Sequence, residues 1–252
     1  MIKLTIISTI ALAIAISGAV SAEISSSTVR FGPNDQYTGY LAKPSGDGPF
    51  PGLVVIHEWW GLNDNIRAES DKLAKAGYAA LAVDLFGKST TDPQEARKMT
   101  QNLDQQAATT QLIAAANYLR SLVYVPDDKV GSIGWCFGGK QSLLLAINDP
   151  KLATAVIYYG QPVTDPKELA KIKASVLGIF GEADESIPMS TVQKFRQALT
   201  EAGVRHEIYT YPGAGHAFAN PTRGDSYKPA AAEDAWKKTL VFLDSKLCKP
   251  KS

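Results

Sequence analysis

The sequence predicts an α/β protein: one domain on a mostly parallel central sheet of about eight strands, with helices on both faces. Three observations lead there. Short β-branched apolar runs alternate with longer segments of helical periodicity. The length of 252 residues suits one α/β domain, and neither a linker nor an internal repeat interrupts it. The residues able to do chemistry fall just after strands, where open α/β sheets form their crevices.

The elements follow in order. Gln36–Lys43 reads as an early strand, and the Pro/Gly-rich stretch from Pro44 to Pro51 as a turn. Leu53–His57 is a buried strand, apolar until its last residue. Asn65–Lys75 places Ile66, Leu73 and Ala74 at helical spacing, and Gly77 stops it. Ala79–Val83 is the next strand, ended by Asp84. Asp92–Met99 and Gln105–Leu122 read as helices. Lys129–Ile133 is a strand ending in Gly134, and Phe137–Ile147 a helix with a leucine-rich face. Ala153–Tyr159, Val176–Phe180 and His206–Tyr211 are further strands. Val192–Ala202 and Glu233–Lys246 are the helices that follow the last two.

With 45% hydrophobic and 20% charged residues, the chain can bury a large core. Its 26 basic and 25 acidic residues are interspersed, which argues against a nucleic-acid-binding face. Lys3, the apolar run Leu4–Ile16 and the small residues Val20-Ser21-Ala22 read as a signal peptide over residues 1–22, with a mature domain over 23–252. The run is short for a membrane span of about 20 residues. The expected destination is the periplasm or beyond, with no membrane attachment after cleavage.

Gly134-Trp135-Cys136-Phe137-Gly138-Gly139 joins a strand to a helix. It has the form of the G-x-S-x-G nucleophile elbow, with cysteine in the serine position. Its glycines permit a tight, strained turn, and the positive end of the helix favours negative charge on the sulfur. The Phe137 backbone N–H points to where an oxyanion would form. A buried free cysteine is the bland alternative. Of the three histidines, His216 lies in a Gly-rich loop after the last strand and can reach the elbow as general base. His57, at a strand end, competes for that role, and His206 reads as a surface residue. Asp184, after Val176–Phe180, is the expected partner of His216, with Glu182 and Glu185 as rivals. The order nucleophile, acid, histidine is that of α/β-hydrolases.

These motifs, together with Val55-Ile56-His57-Glu58-Trp59-Trp60-Gly61-Leu62-Asn63, Asp84-Leu85-Phe86 and Tyr158-Tyr159-Gly160, resemble those of the dienelactone hydrolase family from about Leu53 to Leu243. The resemblance implies a cysteine α/β-hydrolase that cleaves an ester or lactone, without a cofactor and as a monomer. It implies that Glu58 contacts the resting thiol and helps to ionise it, and that the Trp59 N–H is the second oxyanion donor. Tyr159 matches a pocket tyrosine. At the family's two carboxylate-binding arginine positions this chain has Lys88 and Asn220, with Arg223 close by as a substitute. A lysine cannot copy the bidentate arginine fork, so the dienelactone substrate itself does not carry over. Trp59, Trp60, Trp135, Phe137 and Phe218 suggest an apolar pocket, though each has core packing as its alternative.

Two other readings remain to be weighed. A non-catalytic binding protein would show a blocked pocket or a broken triad. A thiol-redox protein would need a resolving cysteine, and Cys248 is expected about 20 Å from Cys136 at a helical rise of roughly 1.5 Å per residue. His57-Glu58-x-x-Gly61 lacks the second histidine of the H-E-x-x-H zinc motif, so no metal is expected.

Overall fold

A computed structural model describes residues 23–248. The expected signal peptide lies outside the described residues. The strands are β1 (Ile24–Phe31), β2 (Tyr37–Pro44), β3 (Gly52–Ile56), β4 (Ala79–Val83), β5 (Val130–Trp135), β6 (Thr154–Tyr158), β7 (Ser175–Gly181) and β8 (His206–Tyr211). The helices are α1 (Asp64–Lys75), α2 (Pro93–Gln101), α3 (Gln105–Ser121), α4 (Phe137–Asn148), α5 (Pro166–Leu169), α6 (Met189–Glu201) and α7 (Pro229–Leu243), which runs into a π-helical turn at Asp244–Cys248.

The strands form one sheet in the order β1-β2-β4-β3-β5-β6-β7-β8. The six strands β3 to β8 run parallel, while β1–β2 and β2–β4 pair antiparallel. Strand period divides the core. Val54, Ile56, Leu81 and Val83 face α3, α4 and α6, with Leu112, Leu119, Leu143 and Phe195. Leu53, Val55, Ala80 and Ala82 face α1 and α7, with Leu73, Phe242 and Leu243. Burial of each such large aliphatic side chain is worth about 1.5–3 kcal/mol. The fold is therefore the expected α/β sheet of eight strands, covered on both faces.

Several boundaries shift from the sequence reading, among them the start of α6 at Met189, and two of the shifts have clear local reasons. β5 continues through Gly134 and Trp135 because both still pair in register with Ile157 and Tyr158. α7 opens at Pro229 rather than Glu233, since proline is preorganised for a first helical turn.

The chain crosses from β3 to β4 on one side and returns to place β5 on the other side of β3. This reversal is the topological switch point, where such sheets open a crevice beyond their strand ends. The loops after β3 and β5 carry Glu58 and Cys136 to its two flanks.

Candidate active site

Cys136 sits at the junction of β5 and α4 with φ 55° and ψ −117°. A positive φ is costly for a non-glycine residue and persists only where the surroundings enforce it. Here the neighbours do so. A Cβ on Gly134 would overlap the backbone of Gly138, and one on Gly138 would overlap the carbonyl oxygens of Ile56 and His57. The elbow thus presses α4 against the end of β3 and lifts the sulfur above the sheet. Phe137, the first residue of α4, has an N–H with no acceptor inside the helix.

The His216 Nε2 lies 3.0 Å from the Cys136 Sγ, and its Nδ1–H donates to the Asp184 Oδ2 at 2.7 Å. The two loops that deliver these residues are joined along their backbones. Glu182 N–H donates to the Tyr211 carbonyl and Ala183 N–H to the Ala214 carbonyl. Gly181 makes that approach possible, since a Cβ there would overlap the Ala214 carbonyl. Asp184 is buried, and its Oδ1 accepts from the Ser186 N–H, the Ser186 hydroxyl and the Ile187 N–H. Glu182 and Glu185 are exposed, and Glu182 accepts from the Thr210 hydroxyl.

The electrostatics follow from these contacts. Burial alone would raise the Asp184 carboxyl, but the bonds from His216 and Ser186 outweigh it and hold the group below the usual carboxylate range. Burial would lower His216, but Asp184 and the sulfur raise it to about 10. Both contacts favour the charged form of the ring beside the sulfur.

Glu58 is buried, and burial raises its carboxyl despite help from Asn220, His216 and Arg223. Its Oε2 accepts from Asn220 Nδ2 at 2.5 Å, while Oε1 has no hydrogen-bond partner. The hydrogen bond between Glu58 and the resting thiol, implied by the resemblance, is not formed; the sulfur faces His216 instead. Nor does Glu58 pair with Arg67, whose guanidinium stacks on Tyr40.

The expected pocket residues divide. Tyr159 has a buried hydroxyl without a partner and a ring 5.3 Å from that of His216. Trp60 packs on Trp59 and carries the Arg223 guanidinium 5.1 Å from its ring, so Arg223 is held at the Glu58 side. Three other residues are committed elsewhere. Asn220 is buried, with its carbonyl oxygen taken by Thr222 and its amide by Glu58. Phe218 is fully buried against Tyr159 and Tyr211, so it is core. Lys88 pairs with Glu95 in a separate cleft of about 370 Å³ bordered by Leu85, Phe86 and Met99. Trp135 is buried against Tyr158 and lines a small cavity shared with Glu58 and Tyr159.

His57 is not a rival base, because both ring nitrogens are engaged by backbone groups. His206 bonds the Val204 carbonyl at the far end of β8. Both cysteines are free, with Cys248 beside Tyr78 at the opposite end of the sheet, so the redox reading lacks its second thiol at the site. Ser186 is a site residue that sequence reasoning missed. Its only signal is a position two residues past the acid, where a hydroxyl can bond back to an aspartate.

A parallel sheet with a cysteine elbow at its switch point, faced by a histidine and a buried carboxylate, defines an α/β-hydrolase. The model of the dienelactone hydrolase family matches residues 37–247. Protein usf of Aquifex pyrophilus is 35% identical over 213 residues, covering 81% of this chain and 91% of its own. A Synechocystis protein named as a candidate carboxymethylenebutenolidase is 33% identical, covering 85% and 94%. The crystal structure of a candidate dienelactone hydrolase from Klebsiella pneumoniae superimposes with a TM-score of 0.79 at 29% identity, covering 88% and 98%. The chain belongs to the dienelactone hydrolase family, and it is a hydrolase of the ester or lactone type.

Proposed function

We propose that the chain hydrolyses small activated esters and enol-lactones through Cys136, His216 and Asp184. The observation that carries this reading is the unbroken line from sulfur to imidazole at 3.0 Å and from imidazole to carboxylate at 2.7 Å. The sulfur attacks the carbonyl carbon, and its proton resides on His216. The N–H groups of Phe137 and Trp59 hold the oxyanion. The carbonyl re-forms as the leaving oxygen departs and takes the proton from the imidazolium, which returns His216 to its neutral form. His216 then takes a proton from water, which attacks the thioester and frees Cys136. Asp184 keeps the imidazole in the Nδ1–H tautomer and stabilises its charged form.

A thiolate is itself a good leaving group. A poor alkoxide leaving group lets the tetrahedral intermediate collapse backwards, whereas an enolate or phenolate leaves readily. Activated esters and enol esters are therefore the expected substrates, and simple alkyl esters turn over slowly. Arg223 is the cation placed to receive a substrate carboxylate. Glu58 favours the protonated form of His216 through its charge, and His216 is the direct acceptor of the thiol proton. We further propose that residues 1–22 direct export and are cleaved, with the domain 23–252 acting outside the cytoplasm; the intact mass of the exported protein tests this.

The catalytic test is hydrolysis of p-nitrophenyl acetate before and after treatment with iodoacetamide. Loss of turnover in step with alkylation of Cys136 supports the nucleophile, and turnover that survives complete alkylation removes it.

A further inference from the structure

We propose that His57 is the positioning residue of the oxyanion pocket, fixing the direction of the Trp59 N–H while backing the ring of Phe137. The inference rests on the reading above that these two residues supply the oxyanion donors. The His57 side chain is completely buried. Its Nδ1–H donates to the Glu58 carbonyl at 2.6 Å, and its Nε2 accepts from the Leu85 N–H at 3.2 Å. A carbonyl can only accept and an amide N–H can only donate, so these contacts admit one neutral tautomer. Burial supports the same state by holding the imidazole below its ordinary pKa.

The Glu58 carbonyl and the Trp59 N–H belong to one peptide unit. In a planar trans peptide they point in opposite directions. The Gly61 N–H donates to the same carbonyl at 3.3 Å, and His57 supplies the shorter of the two anchors that set the N–H. The same imidazole lies 4.8 Å from the Phe86 ring and stacks on Phe137 at 5.8 Å and 19°. One side chain thus joins the loop after β3, the loop after β4 and the elbow. With both nitrogens occupied it moves no proton; its contribution is geometric.

The test compares His57→Asn and His57→Gln. The Asn amide nitrogen lies near the Nδ1 position and can keep the bond to the Glu58 carbonyl, whereas Gln places its amide near Nε2. Losing one oxyanion donor lowers kcat by about 10²–10³, so misdirecting one is expected to cost about 10- to 100-fold in His57→Gln. KM changes little, and His57→Asn recovers most of the rate. Alkylation of Cys136 by iodoacetamide forms no oxyanion, so its rate stays at the wild-type value in both variants. Equal losses in Asn and Gln, alkylation that falls in parallel with kcat, or wild-type kcat in both overturn the proposal. Cys136→Ala separates the two readings: if it retains turnover, the nucleophile assignment fails; if it is inactive while both His57 variants match wild type, only the role of His57 fails.

Discussion

Replacing Asp184 with asparagine tests the histidine end of the site with minimal change in shape. The Oδ1 of Asp184 accepts three hydrogen bonds, from the Ser186 N–H, the Ser186 hydroxyl and the Ile187 N–H. In the Asp184→Asn variant those donors keep the amide oxygen where it is, so the NH₂ group is left facing His216. Two donors then oppose each other, and the ring changes to the tautomer with Nε2–H and an unprotonated Nδ1. That tautomer cannot accept the thiol proton at Nε2. The lost charge-assisted bond is worth about 1.5–3 kcal/mol, or about 10- to 150-fold in rate. The wrong tautomer adds to this, with about 10⁴-fold as the scale known for such a change in a serine protease. The His216 side chain is 35% exposed, so the hydrogen-bond scale, rather than the full pKa displacement, sets the expectation. The assay is kcat for p-nitrophenyl acetate, with the His216 imidazole titrated by NMR. The titration should fall from about 10 toward the ordinary histidine range. An unchanged kcat with an unmoved titration would refute the reasoning.

Three further outcomes follow. Gly181→Ala pushes the acid turn away from the Ala214 carbonyl, so kcat should fall at least tenfold while thermal unfolding shows a destabilisation of about 1–3 kcal/mol from overpacking. Arg120→Met leaves Asp149 as an unpaired buried charge between α3 and α4, since the two side chains are 5% and 6% exposed. Urea unfolding should register a loss of about 3–5 kcal/mol with kcat per folded molecule unchanged. His216 has a raised folded pKa, so its contribution to stability is complete below the ordinary histidine value and is lost as pH rises toward about 10. Urea midpoints between pH 6 and 10 should fall more steeply for the wild type than for His216→Gln.

The parts of the fold that sequence discloses are those where burial imposes a period. β3, β4, β6 and β7 are buried at every position and read as continuous apolar runs. β1 does not announce itself, because it is an edge strand whose Ser25, Ser26, Ser27 and Thr28 are exposed and pair with β2 on one side. The grouping of Cys136, Asp184 and His216 was legible because elbow, acid turn and histidine loop each follow a strand. The pocket was not. Whether Asn220, Phe218 or Lys88 opens onto substrate depends on the partner each finds in space, namely Glu58, Tyr211 and Glu95 in turn. His57 illustrates the same limit. A strand-end histidine suggests a base until the Leu85 N–H and the Glu58 carbonyl are seen to occupy both nitrogens.

Mass spectrometry of the chain quenched during turnover of p-nitrophenyl acetate bears most directly on the nucleophile. With an activated ester acylation outpaces hydrolysis of the thioester, so the wild-type chain should carry one acetyl group on the peptide that contains Cys136, and His216→Asn, which lacks the acceptor of the thiol proton, should carry far less. Acetyl carried by another residue, or a Cys136→Ala protein that turns over at the wild-type rate, would contradict the account.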